Sequence, residues 1–111
     1  MSREVEFAVL DGALEMRVVP RRGRPYTHRC SREVYEEVAH DIEAAPRGVT
    51  IEEVRDRLEL PHTQVAVALA FMKERGCVEV RRRRSHPASR VTFEDAMIEY
   101  LALEHGAAGA A

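Results

Sequence analysis

Hydrophobic and polar residues alternate with a period of two through residues 4–19, "EVEFAVLDGALEMRVV". Asp11-Gly12 stands at the middle, a dipeptide suited to a two-residue turn in which both positions take positive φ. The pattern predicts a β-hairpin with Val5 opposite Val18, Phe7 opposite Met16 and Val9 opposite Leu14. One face of that hairpin is wholly apolar, and Glu6 meets Arg17 across the other. Two strands alone are marginal, so the apolar face requires cover. Residues 20–31, "PRRGRPYTHRCS", read as a connection rich in Pro, Gly and Arg. The period then becomes helical. Over 32–45, Val34, Val38, Ile42 and Ala45 form one stripe with Tyr35 and Ala39 beside it. Ser31 is placed to cap that helix and Pro46-Arg47-Gly48 to end it.

A short strand over Gly48–Thr50 precedes "TIEEVRDRL" (50–58), whose Thr50 and Glu53 have the spacing of a capping box. Ile51, Val54 and Leu58 are its apolar stripe. After the break "ELP", a third helix is predicted from Pro61 to Arg75, with Gly76 as its stop. "CVEVRRRR" (77–84) alternates like a strand, "SHPAS" reads as a turn, and "RVTF" (90–93) as a short return strand. Thr92 with Asp95 repeats the capping spacing. A last helix over 93–105 carries Phe93, Ala96, Met97, Tyr100 and Leu101 on one side. Gly106 ends it, and 106–111 read as a frayed tail. The 111 residues make a single domain with no internal repeat.

From Ser31 to Phe93, "GVTIEEVRDRLELPHTQVAVALAFMKERGCVEVRRRRSHPASRVTF" and the helix before it resemble the winged helix-turn-helix superfamily. The junction "FMKERGCVEV" is the most characteristic part. The fold class expected is therefore α+β: a three-helix core over 31–93 with a two-stranded wing, an added N-terminal β-hairpin and a C-terminal helix. The resemblance implies DNA binding, often by a dimeric regulator, with the third helix in the major groove and the wing on backbone or minor groove.

Charge sharpens this picture. The net charge is only −2, yet the cations are segregated. Residues 17–32 hold six arginines and no carboxylate, and residues 75–91 hold six arginines against Glu79 alone. Sixteen of the seventeen cations are Arg, whose fork suits phosphate; a GC-rich genome would give the same bias. Arg81, Arg82, Arg83, Arg84, His86 and Arg90 are expected on the wing, where they can sit on phosphates or enter a narrow minor groove. The alternative is a solvated loop balancing acidic helices. Arg21, Arg22 and Arg24 are possible backbone contacts, with Tyr26 and His28 beside them, or simply an exposed loop.

The third helix poses a difficulty. Val65, Ala68, Leu69 and Met72 fit the core stripe, but the opposite side offers Thr63, Val67, Ala70 and Glu74, flanked by Phe71 and Ala66. Base edges are read by donors and acceptors, and only His62, Thr63 and Gln64 in the first turn supply them. That outward face is either buried by the hairpin or a partner, inserted in a groove with sparse readout, or left exposed. Three functions follow: a DNA-binding regulator, a protein-interaction module docking through the apolar face of the third helix without DNA, or an RNA binder using both basic islands.

Other chemistry is thin. His28-x-Cys30 has no second pair at ligand spacing, the remaining histidines are scattered, and no phosphate-binding glycine loop is present. No catalytic residue, metal or cofactor is expected. Cys30 and Cys77 are isolated from each other, which favours reduced thiols and a cytoplasmic location. "MSREVEF" does not read as a secretory leader, and no apolar run approaches the roughly 20 residues of a membrane span. The expected partners are double-stranded DNA and a second copy, with a protein partner as the alternative.

Overall fold

A computed structural model describes residues 3–109 as an α+β unit. Among those residues the chain forms β1 (Glu4–Leu10), β2 (Ala13–Val19), β3 (Tyr26–Ser31), α1 (Arg32–Glu43), α2 (Ile51–Leu58), α3 (His62–Glu74), β4 (Val78–Arg81), β5 (Arg84–Pro87) and α4 (Thr92–Gly109). β1-β2-β3 make one antiparallel sheet and β4-β5 another.

The first hairpin has the predicted register: Val5 pairs with Val18, Glu6 with Arg17, Phe7 with Met16 and Val9 with Leu14. Asp11 and Gly12 both take positive φ, as that turn demands. The connection expected over 20–31 is shorter than predicted, because Tyr26–Ser31 joins β2 as a third strand. Its inward alternation of Tyr26, His28 and Cys30 continues the apolar face; only Cys30 is buried.

That sheet covers α3. β2 and β3 pack on the helix, and the Phe7 and Phe71 rings meet edge to face at 5.2 Å. Val67, one turn earlier on the same face, is fully buried with Phe71. Burying such side chains contributes about 1.5–3 kcal/mol each. The other side of α3 presents Val65, Ala68, Leu69 and Met72 to the same continuous core. This is why α3 is apolar nearly all round: it lies between a helical layer and a sheet.

α4 packs on α1. The Tyr35 hydroxyl donates to the Ala96 carbonyl at 2.7 Å, Tyr35 and Tyr100 rings lie 5.2 Å apart, and Phe93 stacks on His40. α4 begins at Thr92 rather than Phe93, and it continues through Gly109 where a frayed tail is expected; residues 110–111 of that tail lie outside the described residues. Thr92 does not cap it. The Glu43 carboxylate accepts from the Phe93 amide in the first turn at 3.1 Å; before the helix, Ser89 accepts from the Val91 amide and donates to Asp95, while the buried Thr92 hydroxyl donates to the Ser89 carbonyl.

The second hairpin departs furthest from expectation. Its strands close through Arg82 and Arg83, at φ 51° and 68°, so the return strand is Arg84–Pro87 and not 90–93. Residues 88–91 are a turn leading to α4. Two arginines in left-handed conformation carry no turn signature, which is why the pattern places the turn at the Pro-Ala-Ser stretch instead. Val49 bridges Ser85, which among the described residues is the one β-pairing of the expected Gly48–Thr50 strand.

Candidate nucleic-acid interface

Shortening the hairpin sorts its cations into two groups. Arg81, Arg82 and Arg83 stand at the tip, all exposed. Among the described residues none of the three guanidinium groups has an ion-pair or hydrogen-bond partner of its own chain. Arg84 and His86 belong to the base. The Arg84 guanidinium donates to the Gly48 carbonyl at 3.1 Å and pairs with Glu53 at 3.0 Å. The His86 ring lies so close over Gly48 that a Cβ there would sit 2.6 Å from it. Both therefore clamp the hairpin to the α1–α2 connection, and the expectation that they stand with the tip is corrected. Arg90 is exposed, but it lies in the 88–91 turn and not on the hairpin.

Glu53 completes the predicted capping box: it accepts from the Thr50 amide at 2.9 Å while Thr50 accepts from its own. That amide, with Arg84 beside it, holds the Glu53 carboxyl below its ordinary range.

The first turn of α3 divides similarly. The Gln64 side-chain oxygen accepts from the Ser31 amide at 3.0 Å, tying β3 to α3. Gln64 is thus committed to the fold and not held out for a base edge. Thr63 is exposed, and exposed His62 has its Nδ1 3.3 Å from the Arg55 guanidinium. The acids Asp56 and Glu59 are also exposed near this end.

Between the sheet and the second hairpin a narrow strip of α3 remains open. It carries Ala66, Ala70 and Lys73. On one side a cleft of about 320 Å³ is walled by Ile51, Glu52, Val80 and Arg83. On the other a cleft of about 300 Å³ is walled by Arg3, Val5 and Phe7. Ala70 and Lys73 border both. Sequence reasoning does not single out Lys73 or Arg3; the only signal is helical spacing, which puts Lys73 one turn beyond Ala70 and two beyond Ala66.

The other basic island, Arg21, Arg22 and Arg24, is exposed on the β2–β3 loop. The loop follows Val19, which pairs with Glu4, so it adjoins the end of the sheet where Arg3 enters β1. Tyr26 and His28 touch each other, with ring centroids 4.9 Å apart.

The cysteines are free and buried. Burial pushes the Cys30 thiol up to about 12 and Cys77 to about 11, so neither is a nucleophile near neutral pH. Among the described residues no three of His, Cys, Asp and Glu group as a metal site would, and no helix is long and apolar enough to cross a membrane.

No family model, curated protein or solved structure matches this chain.

Proposed function

We propose that this chain is a winged helix-turn-helix protein that holds double-stranded DNA through the arginines of its second hairpin. The order α1, Val49 bridge, α2, α3, β4, β5 supports the architecture, since it follows the helix, strand and wing sequence of that fold. Support for DNA comes foremost from one observation: Arg81, Arg82 and Arg83 project at the tip with no partner among the described residues, while Arg84 and His86 anchor the base. Free guanidinium groups on a protruding ribbon suit phosphates. An interaction module acting through the apolar face of α3 loses support, because Val67 and Phe71 are core.

As a transcriptional regulator the protein would act in the cytoplasm, where buried reduced thiols persist, and as a homodimer. Val91 and Ile98, the latter 62% exposed in the first half of α4, offer apolar surface for a second copy. Ile98→Glu then lowers the mass seen in sedimentation; a wild-type monomer removes the dimer from the proposal.

Anisotropy of a labelled duplex across a salt series tests DNA binding. The Arg81→Ala, Arg82→Ala, Arg83→Ala triple variant should lower the salt slope by about 2–3, near 0.9 for each phosphate it no longer neutralises. Absence of wild-type binding at low salt, or equal slopes, overturns the proposal.

A further inference from the structure

We infer that the duplex lies across the C-terminal half of α3 on a cationic track, Arg83–Lys73–Arg3 continuing to Arg21, Arg22 and Arg24, and is held by its backbone with no reading of sequence. This rests on the DNA-binding reading above and deepens it: the contact made by this face is with the sugar-phosphate backbone and does not select an operator.

The track follows from adjacency. Arg83 and Lys73 wall one cleft, Lys73 and Arg3 wall the next, and the Val19–Glu4 pairing brings the β2–β3 loop to the end of the sheet that Arg3 occupies. Separate chain segments thus place Arg83, Lys73 and Arg3 along adjoining clefts, with the loop arginines leaving the end of the sheet beside Arg3. Of the carboxylates bordering it, Glu74 is paired with Arg75, and Glu52 faces the cleft beside Arg83.

Sequence independence follows from what α3 presents there. Base edges are discriminated by hydrogen-bond donors and acceptors, whereas phosphate contacts carry no sequence information directly. The open strip offers Ala66 and Ala70, which have neither. Gln64 is engaged by the Ser31 amide, and Val67 and Phe71 are under the sheet. His62 and Thr63 lie at the other end of α3. At about 1.5 Å rise per residue, Thr63 is roughly 15 Å from Lys73; at that end Asp56 is paired with Arg55 at 2.8 Å, and Glu59 is exposed.

The experiment uses the full chain with AT-rich, GC-rich and mixed duplexes of equal length, read by anisotropy across a salt series. Affinities for the three should agree within about threefold. His62→Ala with Thr63→Ala should leave all of them unchanged. Lys73→Ala should lower the salt slope by about 1, and the Arg21→Ala, Arg22→Ala, Arg24→Ala variant by about 2–3. Glu52→Gln should tighten binding to every duplex. A preference above about 100-fold for one duplex, abolished in the His62/Thr63 variant, overturns sequence independence while leaving the hairpin's role intact. Unchanged slopes for the Lys73 and loop variants, with the tip variant weakened, overturn the track alone. Absence of any wild-type binding overturns this inference and the DNA-binding reading together.

Discussion

The two hairpins of this molecule turn through the same backbone geometry with opposite choices of residue. β1 and β2 join at Asp11 and Gly12, with φ 53° and 73°; β4 and β5 join at Arg82 and Arg83, with φ 51° and 68°. Gly adopts that conformation freely and Asp tolerates it, whereas for other side chains it costs roughly 1–2 kcal/mol per residue. The first hairpin thus has the residues its turn favours, and it covers α3. The second carries strain at its tip, and strain of this kind persists where surrounding structure over-determines the conformation. The base supplies that constraint: Val49 and Ser85 exchange backbone hydrogen bonds of 3.0 and 2.7 Å, while Arg84 and His86 grip Gly48. A strained turn on a firm base, tipped with unpaired charge, is the arrangement expected where charge placement matters more than local stability.

The largest effect should come from breaking the docking of the first sheet. Phe71→Ala removes a fully buried ring that meets both Phe7 and Tyr35, and should cost about 3–5 kcal/mol in urea unfolding. Val80→Ala on the second hairpin, where the side chain is 41% exposed, should cost less than about 0.5 kcal/mol. Similar losses at the two sites would mean that the hairpins do not differ in this way.

Exchanging the turns tests the comparison directly. Arg82→Asn with Arg83→Gly should stabilise the protein by about 2–4 kcal/mol, roughly 1–2 for each residue relieved, and lower the salt slope for DNA by about 2. Asp11→Arg with Gly12→Arg should destabilise it by a similar amount and give no compensating affinity. If the first exchange leaves stability unchanged, the Arg82-Arg83 turn is not strained.

The same contrast explains what is legible in the sequence. Asp11-Gly12 announces a turn, and the alternation around it sets the register to the residue. Thr50 and Glu53 announce a helix start. Arg82-Arg83 announces nothing, because its conformation is imposed by strand pairing and the Gly48 clamp, which are tertiary. The hydrophobic pattern therefore misplaces the tip, and groups Arg84, His86 and Arg90 with it. β3 escapes the pattern because a strand of Tyr, Thr, His, Arg, Cys and Ser between a Pro-rich loop and a helix has little periodicity of its own; β2 supplies the pairing. Residues 62–64 are legible as polar and first-turn, but the tie from Gln64 to the Ser31 amide joins segments far apart in the chain.

A smaller effect should separate the sheet's interior from the hairpin's exterior. The folded Cys30 thiol is pushed up to about 12 by burial, above its ordinary value. Its contribution to stability is therefore complete below the unfolded-state pKa and is lost as pH rises toward the folded value. At about pH 10 the loss should be roughly 1–2 kcal/mol, and Cys30→Ala should remove that share of the alkaline decline. A thiol reagent that labels Cys30 rapidly in the folded protein would show that the sheet does not seal it.

The smallest effect concerns Arg84, the arginine of the second hairpin assigned to the fold. Glu53 titrates below its ordinary range chiefly because it accepts from the Thr50 amide, with Arg84 adding to this. Its contribution therefore holds above the ordinary carboxylate pKa and fades as pH falls through the lowered folded value. Followed by the Glu53 side-chain carbon shift in NMR, Arg84→Gln should raise this pKa only partway, because the Thr50 backbone amide still donates to the carboxylate. The same Arg84→Gln variant should change the DNA salt slope by less than about 1, since a guanidinium already paired with a carboxylate releases little counterion from a phosphate. A Glu53 pKa unmoved by Arg84→Gln, together with a slope reduced as much as for Arg82→Ala, would place Arg84 with the tip. The division of this hairpin into an anchoring base and a binding tip would then fail at its boundary.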